Sequence, residues 1–370
     1  MKKIILIIFL LGQLNYVYGQ FEISILTCSP GQKVYSVFGH TAIRIFNREK
    51  NIDQVYNFGM FDFKTTNFEY KYLKGKLEYF RGIQKTDNFI KSYTSEERLI
   101  IEQVLELNEF EIKKIINRLN FLYRPQNKFY LYSFLKKNCS TETRDLLSYI
   151  GVRFKNQKIK KSNRALINSY LKEMSWLKLG INLVLGKSLD KISTRSQSMF
   201  LPNYLQKEIK YATLNDKRIV KYEKNLNSIK KTNHLNPLEI LPSHLLFSFI
   251  VLIIIFWFPK QIRLIISLVI GVTGFFFLVL WMFSGHEEVK NNLNIIWCNP
   301  LYLIYIPLIV QNKINKVLSL ILLGTIVSST MIWLLKIQVF DSSIIPILIL
   351  LGILNFKQMK KEDEIIRIKK

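Results

Sequence analysis

Three kinds of side chain are scarce in this sequence. Its 370 residues hold four histidines, three cysteines, and 27 acidic residues set against 53 Lys and Arg. The acid shortage leaves a formal net charge of +26. Compositional drift towards lysine, asparagine and isoleucine accounts for part of such a balance. Attraction to an acidic partner is the other reading: nucleic acid is the usual one for a basic chain, and anionic phospholipid the alternative. The scarcity of histidine matters more. His234, His244 and His286 lie in a linker or beside apolar runs, which leaves His40 as the one imidazole inside the folded part of the N-terminal half. No cofactor and no metal site are expected.

A further absence lies in the C-terminal half. From Pro242 onwards five apolar runs follow, at about 243–258, 262–283, 293–310, 317–335 and 340–356. Each is near the length that crosses a hydrocarbon core, and Asn299 and Pro300 interrupt the third. They carry almost no ionisable side chains away from their ends, which argues against an ion or substrate pathway. The short loops orient them. Lys260 with Arg263, Lys313 with Lys316, and the tail with Lys357, Lys360, Lys361, Arg367, Lys369 and Lys370 fall on one side. Glu287, Glu288 and Lys290, then Lys336 and Asp341, fall on the other. The positive-inside rule puts the lysine-rich side in the cytoplasm, so the N-terminal half is exported. An exported basic domain tethered beside a bilayer meets lipid headgroups, and nucleic acid is not an expected partner.

The N-terminus supports export. Two lysines precede an apolar run from Ile4 to Leu11, with Val17 and Gly19 ahead of a cut before Gln20. That pattern is a secretory signal, too short in its apolar part to span. "ILTC" (25–28) is a poor lipoprotein attachment site because Thr27 precedes the cysteine. The expected organisation is a signal at 1–19, a folded domain at 20–155, a helical connector at 156–241, five membrane helices at 242–356 and a basic tail at 357–370.

Within the exported part, "FEISILTCSPG" (21–31) reads as a strand ended by a Pro-Gly turn, and "VYSVFGHTAIRIF" (34–46) as a second strand. "NREKN" is a hairpin turn and "DQVYNFG" (53–59) the returning strand. "FDFKTTNFEYKYLKGKLEYFRG" is expected to be extended. "ERLIIEQVLEL" (97–107) fits strand or helix, with strand preferred. Ile112, Ile115, Ile116, Leu119 and Leu122 recur at helical spacing after a capping box of Asn108 and Glu111. In "KNCSTETRDLL" (137–147), Asn138 is a good helix cap, Leu146, Leu147 and Ile150 form one apolar face, and Gly151 ends the helix. Residues 174–186, "MSWLKLGINLVLG", suit an amphipathic platform at the headgroups or a buried core helix.

Cys139 thus opens a helix, where the dipole favours thiolate. A thiolate needs a base, and His40 on its strand is the only histidine available in the folded domain. A cysteine at a helix start facing a histidine on a strand is the geometry of papain-like enzymes, here in the permuted order. The residues alone leave other readings open: a buried inert thiol, a hydrogen-bonded structural histidine, or a disulfide between Cys28 and Cys139 in an oxidising compartment.

"ISILTCSPG", "YSVFGHTAIRIF", "VYNFGMFDF", "YLYSFLKKNCSTETRDLL", "LGINLVLGKSLDK", "MFLPNYL" and "GHEEVKNNLNIIWCNPL" together resemble the Lnb-type bacterial lipoprotein N-acyltransferases over nearly the whole mature chain. The resemblance implies an α+β permuted papain-like domain, an antiparallel sheet with packed helices similar to NlpC and lecithin:retinol acyltransferase. It is followed by an all-α membrane domain of five transmembrane helices in the bacterial inner membrane, with the catalytic domain on the periplasmic side. It implies Cys139 as nucleophile and His40 as base. Asn57, across the hairpin, fits best as the orienting third residue, with Tyr35 and Asp62 as substitutes; these two and Arg44 are the candidate substrate-binding side chains. Arg44 suits a lipid phosphate, an oxyanion or a carboxylate partner equally. Arg144 and Asp145 read as a structural pair and Cys298 as packing.

The implied reaction moves an acyl chain from a membrane phospholipid, through a thioester on Cys139, to the N-terminal amine of a diacylated lipoprotein. The lipid bilayer, the phospholipid donor and the lipoprotein acceptor are the expected partners. A cysteine amidase or peptidase acting on cell-wall peptides would use the same dyad. A membrane scaffold with an exported binding domain is the non-enzymatic reading.

Overall fold

The computed structural model describes residues 21–155, 157–229, 243–256, 260–313 and 315–368. The signal at 1–19, the linker that holds His234, and the last two lysines lie outside the described residues.

Seven strands form one antiparallel sheet. They are β1 (Glu22–Cys28), β2 (His40–Asn47), β3 (Ile52–Met60), β4 (Glu78–Lys85), β5 (Ile100–Leu105), β6 (Phe129–Leu131) and β7 (Val220–Asn225), in the order β7-β5-β1-β2-β3-β4-β6. β1 lies centrally and is buried from Ile23 to Cys28, which is why it carries apolar side chains for both faces, Ile23 and Ile25 in one cluster and Leu26 and Cys28 in the other. The β2–β3 hairpin closes where the expected turn lies: Asn47 Oδ1 accepts from the Lys50 N–H at 2.8 Å, and Asn51 takes a left-handed φ of 51°. The ambiguous "ERLIIEQVLEL" contributes β5, with Ile100 and Val104 buried.

Helices cover both faces. On one side Thr86–Ser95 packs Phe89 onto Leu26, Cys28, Ala42, Val55 and Ile100. On the other, Glu109–Leu122 and Cys139–Tyr149 bring Ile112, Ile115, Leu119, Leu146 and Leu147 onto Ile23, Ile25, Ile43 and Ile45. The capping box of Asn108 and Glu111 forms in full.

Two sequence expectations differ from the structure. The aromatic stretch after β3 is not extended throughout: it turns at Asp62, whose Oδ1 accepts from the Lys64 N–H, and forms a helix over Phe68–Leu73 before β4. Gly75, at φ 65°, ends that helix. Its aromatic residues obscured the turn because they pack on one another as well as on the sheet: Phe61 meets Phe63 and Phe68, and also Tyr79 of β4. Residues 156–241, expected as a helical connector, supply edge strand β7, and Leu205 and Ile209 of helix Pro202–Ile209 enter the same core as β1 and β2. The sheet therefore draws on chain well past residue 155, since β5 needs a partner for its second edge.

In the C-terminal half the helices are Ser243–Phe256, Lys260–Phe283, the interrupted pair Asn294–Trp297 and Tyr302–Val310, Lys316–Leu334 and Ile345–Ile368. Among the described residues, three segments are long and apolar enough to cross a membrane: Lys260–Phe283, Lys316–Leu334 and Ser342–Met359. The break at Asn299 and Pro300 falls where the sequence places it, and Cys298 is buried there, its Sγ donating to Ile270 O at 3.2 Å. Helix Ser175–Val184 packs on this bundle, with Leu179 in its core and Trp176 against Phe247 at 5.6 Å.

The first outer loop ties the halves together. Ser284 Oγ donates to Leu73 O at 2.8 Å, and the Gly285 N–H donates to Lys74 O at 2.9 Å. The Glu288 carboxylate accepts from Ser133 Oγ and from the Leu135 N–H. Asn292 Nδ2 reaches Leu183 O at 2.7 Å.

Candidate active site

Cys139 is the first residue of its helix, and Asn138 builds the cap. Asn138 Oδ1 accepts from the Ser140 and Thr141 N–H groups, both at 2.9 Å. Its Nδ2 donates to Phe134 O and Phe200 O, and its own N–H to Thr141 Oγ1. A buried side chain saturated in this way fixes the direction from which the chain enters the helix. The caps take up Ser140 and Thr141; among the described residues the Cys139 N–H has no partner. A second tie joins helix to strand: Thr41 Oγ1 and Ser140 Oγ lie 3.0 Å apart, both fully buried.

Opposing forces act on the Cys139 thiol. Burial pushes its pKa up. The His40 ring, by charge and by hydrogen bond, pulls it down, helped by the Thr41 N–H and the Ser140 hydroxyl, and the balance lies below the ordinary thiol range.

His40 opens β2, so its ring leaves the sheet at the end where the cysteine helix begins. Gly39 makes that entry: its φ is 85°, and a Cβ there would sit 2.7 Å from Cys28 O. His40 Nε2 lies 3.1 Å from Asn57 Oδ1. Asn57 pairs with Ala42 in the β2–β3 register, which places it on the His40 face, and Tyr123 Oη donates to its carbonyl at 2.9 Å. An amide oxygen on Nε2 selects the tautomer with its proton there, leaving the Nδ1 lone pair for the sulfur. The Tyr93 ring stacks on the imidazole at 6.1 Å, 14° from parallel.

The other candidates lie differently. Arg44 is committed to carboxylates: Nε and one terminal nitrogen donate to Asp53 at 2.7 and 2.6 Å, and the other to buried Glu102 at 2.9 Å. Of its three sequence readings, the structure displays the carboxylate pairing. Tyr35 is exposed, 3.5 Å from Glu96, with its ring edge-on to Phe63. Asp62 is exposed and caps its own turn. Neither has a contact with His40, whose carboxamide partner is Asn57. Arg144 pairs with Asp145 at 2.7 Å. Cys28 faces His40 across the β1–β2 register, buried, with its thiol pushed up by desolvation. Cys28 and Cys139 are both free thiols, with no disulfide between them.

Sequence reasoning passed over Tyr93, Ser140, Tyr130 and Tyr132. The last two alternate within "YLYSF" just upstream of the nucleophile, and that period-two spacing was the available signal.

A half-buried, acidified thiol beside an imidazole held by an amide is equipped for nucleophilic attack on a carbonyl and passage through a covalent acyl intermediate. Two family models match the chain: the Lnb N-terminal periplasmic domain over residues 13–172 and the Lnb transmembrane domain over residues 229–362. No curated protein matches it, and no solved structure does.

Proposed function

This chain belongs to the Lnb family, as a membrane protein with a periplasmic N-terminal domain, and from that premise we propose that it is a lipoprotein N-acyltransferase of the bacterial inner membrane, with Cys139 as nucleophile, His40 as base and Asn57 as the orienting residue. The observation that carries the reading is the hydrogen bond from His40 to Asn57, 3.1 Å long, on a histidine that acidifies a thiol at a helix start.

In the proposed reaction His40 Nδ1 takes the thiol proton. The thiolate attacks an ester carbonyl carbon of a phospholipid; the C–S bond forms as the C=O π pair moves onto oxygen. Collapse of that oxyanion breaks the ester C–O bond, and the lysophospholipid oxygen leaves with the proton from His40. The neutral α-amine of a diacylated lipoprotein then attacks the thioester. The second oxyanion collapses with cleavage of the C–S bond, and the proton shed by the amine returns through His40 to the sulfur. The products are a lysophospholipid and an N-acylated lipoprotein, with the thiol restored.

The placement of the domain supports a lipid substrate. Helix Phe68–Leu73 leaves Tyr70, Tyr72 and Leu73 exposed, and its end is tied to the outer end of membrane helix Lys260–Phe283, with Lys74 Nζ 5.1 Å from the Phe283 ring centroid. Tyrosines with lysines at such a level suit the headgroup region.

Intact mass spectrometry of the full-length protein mixed with phospholipid tests the proposal. A mass gain of one acyl chain on Cys139, discharged by a diacyl lipopeptide with equal gain on its amine, is expected. Cleavage of cell-wall muropeptides without acyl gain would transfer the site to the amidase reading. Normal function in cells of both Cys139→Ala and His40→Ala would leave only the scaffold.

A further inference from the structure

The proposed reaction makes an oxyanion twice, and the Cys139 N–H is one donor for it. The structure holds a second group at the same corner. Tyr130 is buried, 7 % exposed, and its hydroxyl has no hydrogen-bond partner among the described residues. The backbone group beside it is the Gly59 N–H, which lies towards its oxygen and leaves the phenolic proton unclaimed. A buried hydroxyl whose proton has no acceptor is destabilising, so its retention calls for a ligand that satisfies it.

Gly59 shows where that ligand would sit. At φ 76° it lies within an irregularity in the β3–β4 register between Asn57 and Met60. A Cβ built on it would lie 3.8 Å from Tyr130 Oη, 3.9 Å from the Cys139 nitrogen and 3.6 Å from Tyr132 Cε2. One point is therefore within van der Waals reach of an unpartnered O–H, an unpartnered N–H and an aromatic edge. Glycine keeps it open. The guanidinium of Arg81, held by Glu142, lies 4.3 Å from the Tyr130 ring centroid and fixes the phenol's position.

We infer that Tyr130 is a catalytic residue: its hydroxyl donates, with the Cys139 N–H, to the carbonyl oxygen of the acyl group in both tetrahedral intermediates. This inference rests on the acyl-transfer reading. Burial keeps the phenol protonated at physiological pH and so a donor. The corner that Gly59 leaves open would take the oxygen, and Tyr132 would close it against water. Pre-aimed donors of this kind act where charge develops, so they lower the barrier without tightening substrate binding.

The experiment compares the full-length wild type with Tyr130→Phe in detergent–phospholipid micelles, measuring lipopeptide acylation, KM for the lipopeptide, and the pH profile of Cys139 alkylation by iodoacetamide. The expected result is a fall in kcat of about 100-fold, with KM and the alkylation profile unchanged. Three results would overturn the inference: unchanged kcat in Tyr130→Phe, a loss carried by KM, or a shifted alkylation profile, which would make Tyr130 a structural support of the thiol. A wild type that never acylates the lipopeptide removes the acyl-transfer reading itself, and the inference with it. Tyr130→Phe removes only a hydroxyl, and denaturant titration confirms that it folds; Gly59→Ala, strained at φ 76° but with its methyl in the same corner, gives a further overturning result, since full activity with that methyl in place excludes an oxyanion there.

Discussion

The amide oxygen of Asn57 holds Nε2 of His40 at 3.1 Å from the neighbouring strand. Both ends of that contact are set by the β2–β3 register, in which Ala42 faces Asn57 and His40 lies two residues before Ala42. A slip of one residue would turn Asn57 to the other face of the sheet and leave the imidazole without its guide.

Asn57→Ala should lower acyl transfer by about 100-fold, the scale of a misplaced catalytic group. Steady-state kcat measures it. Phospholipid binding to the inactive Cys139→Ala background should be unaffected by the same change, since Asn57 is buried behind the imidazole.

Cys139 alkylation should continue at pH values where an ordinary thiol is protonated and unreactive. The sign follows from the causes: burial raises the pKa, and His40, together with the Thr41 N–H and the Ser140 hydroxyl, lowers it by more. His40→Ala removes the lowering and leaves the burial, so the midpoint of the alkylation profile should move to higher pH. An unmoved midpoint would detach the two residues.

Asn138→Ala strips the cap from the nucleophile's helix. Ser140 and Thr141 lose their acceptor and two carbonyls lose their donor. The expected cost is about 2 kcal/mol of stability, read from denaturant titration of the full chain, together with slower Cys139 alkylation.

Arg44→Leu separates a structural role from lipid recognition. It leaves Glu102, fully buried, with Ser24 and Lys224 as its remaining partners among the described residues. A loss of about 3 kcal/mol is expected, with unchanged KM for phospholipid in the protein that remains folded. A raised KM without loss of stability would restore Arg44 as a headgroup ligand.

Glu288→Ala breaks the tie between the outer membrane loop and the turn that leads into Asn138. The Leu135 N–H loses its acceptor, and amide exchange across residues 133–137 should speed up by about 10-fold, as expected for a local opening made about 1.4 kcal/mol easier. Slower Cys139 alkylation in the same variant would show that the membrane domain steadies the nucleophile.

Local signals were written plainly in the chain. Period-two alternation marked β2, the Asn108–Glu111 pair marked a helix start, and Asn138 before Cys139 marked another; each depends on residues within one turn or one hairpin of each other. The five apolar runs and their charged loops were equally local. Scarcity did the rest: one histidine in the exported half outside the linker left one candidate base.

What the sequence determined by itself was therefore which residues could be nucleophile and base, and that a membrane domain follows. Only the tertiary structure decided that Asn57, and neither Tyr35 nor Asp62, meets His40, that Arg44 is spent on Asp53 and Glu102, that β7 closes the sheet from beyond residue 200, and that Tyr130 Oη and the Cys139 nitrogen lie beside one corner at Gly59. Those relations join residues far apart in the chain, through strand register and long-range packing, and no spacing within a single segment encodes which distant partner a side chain will find.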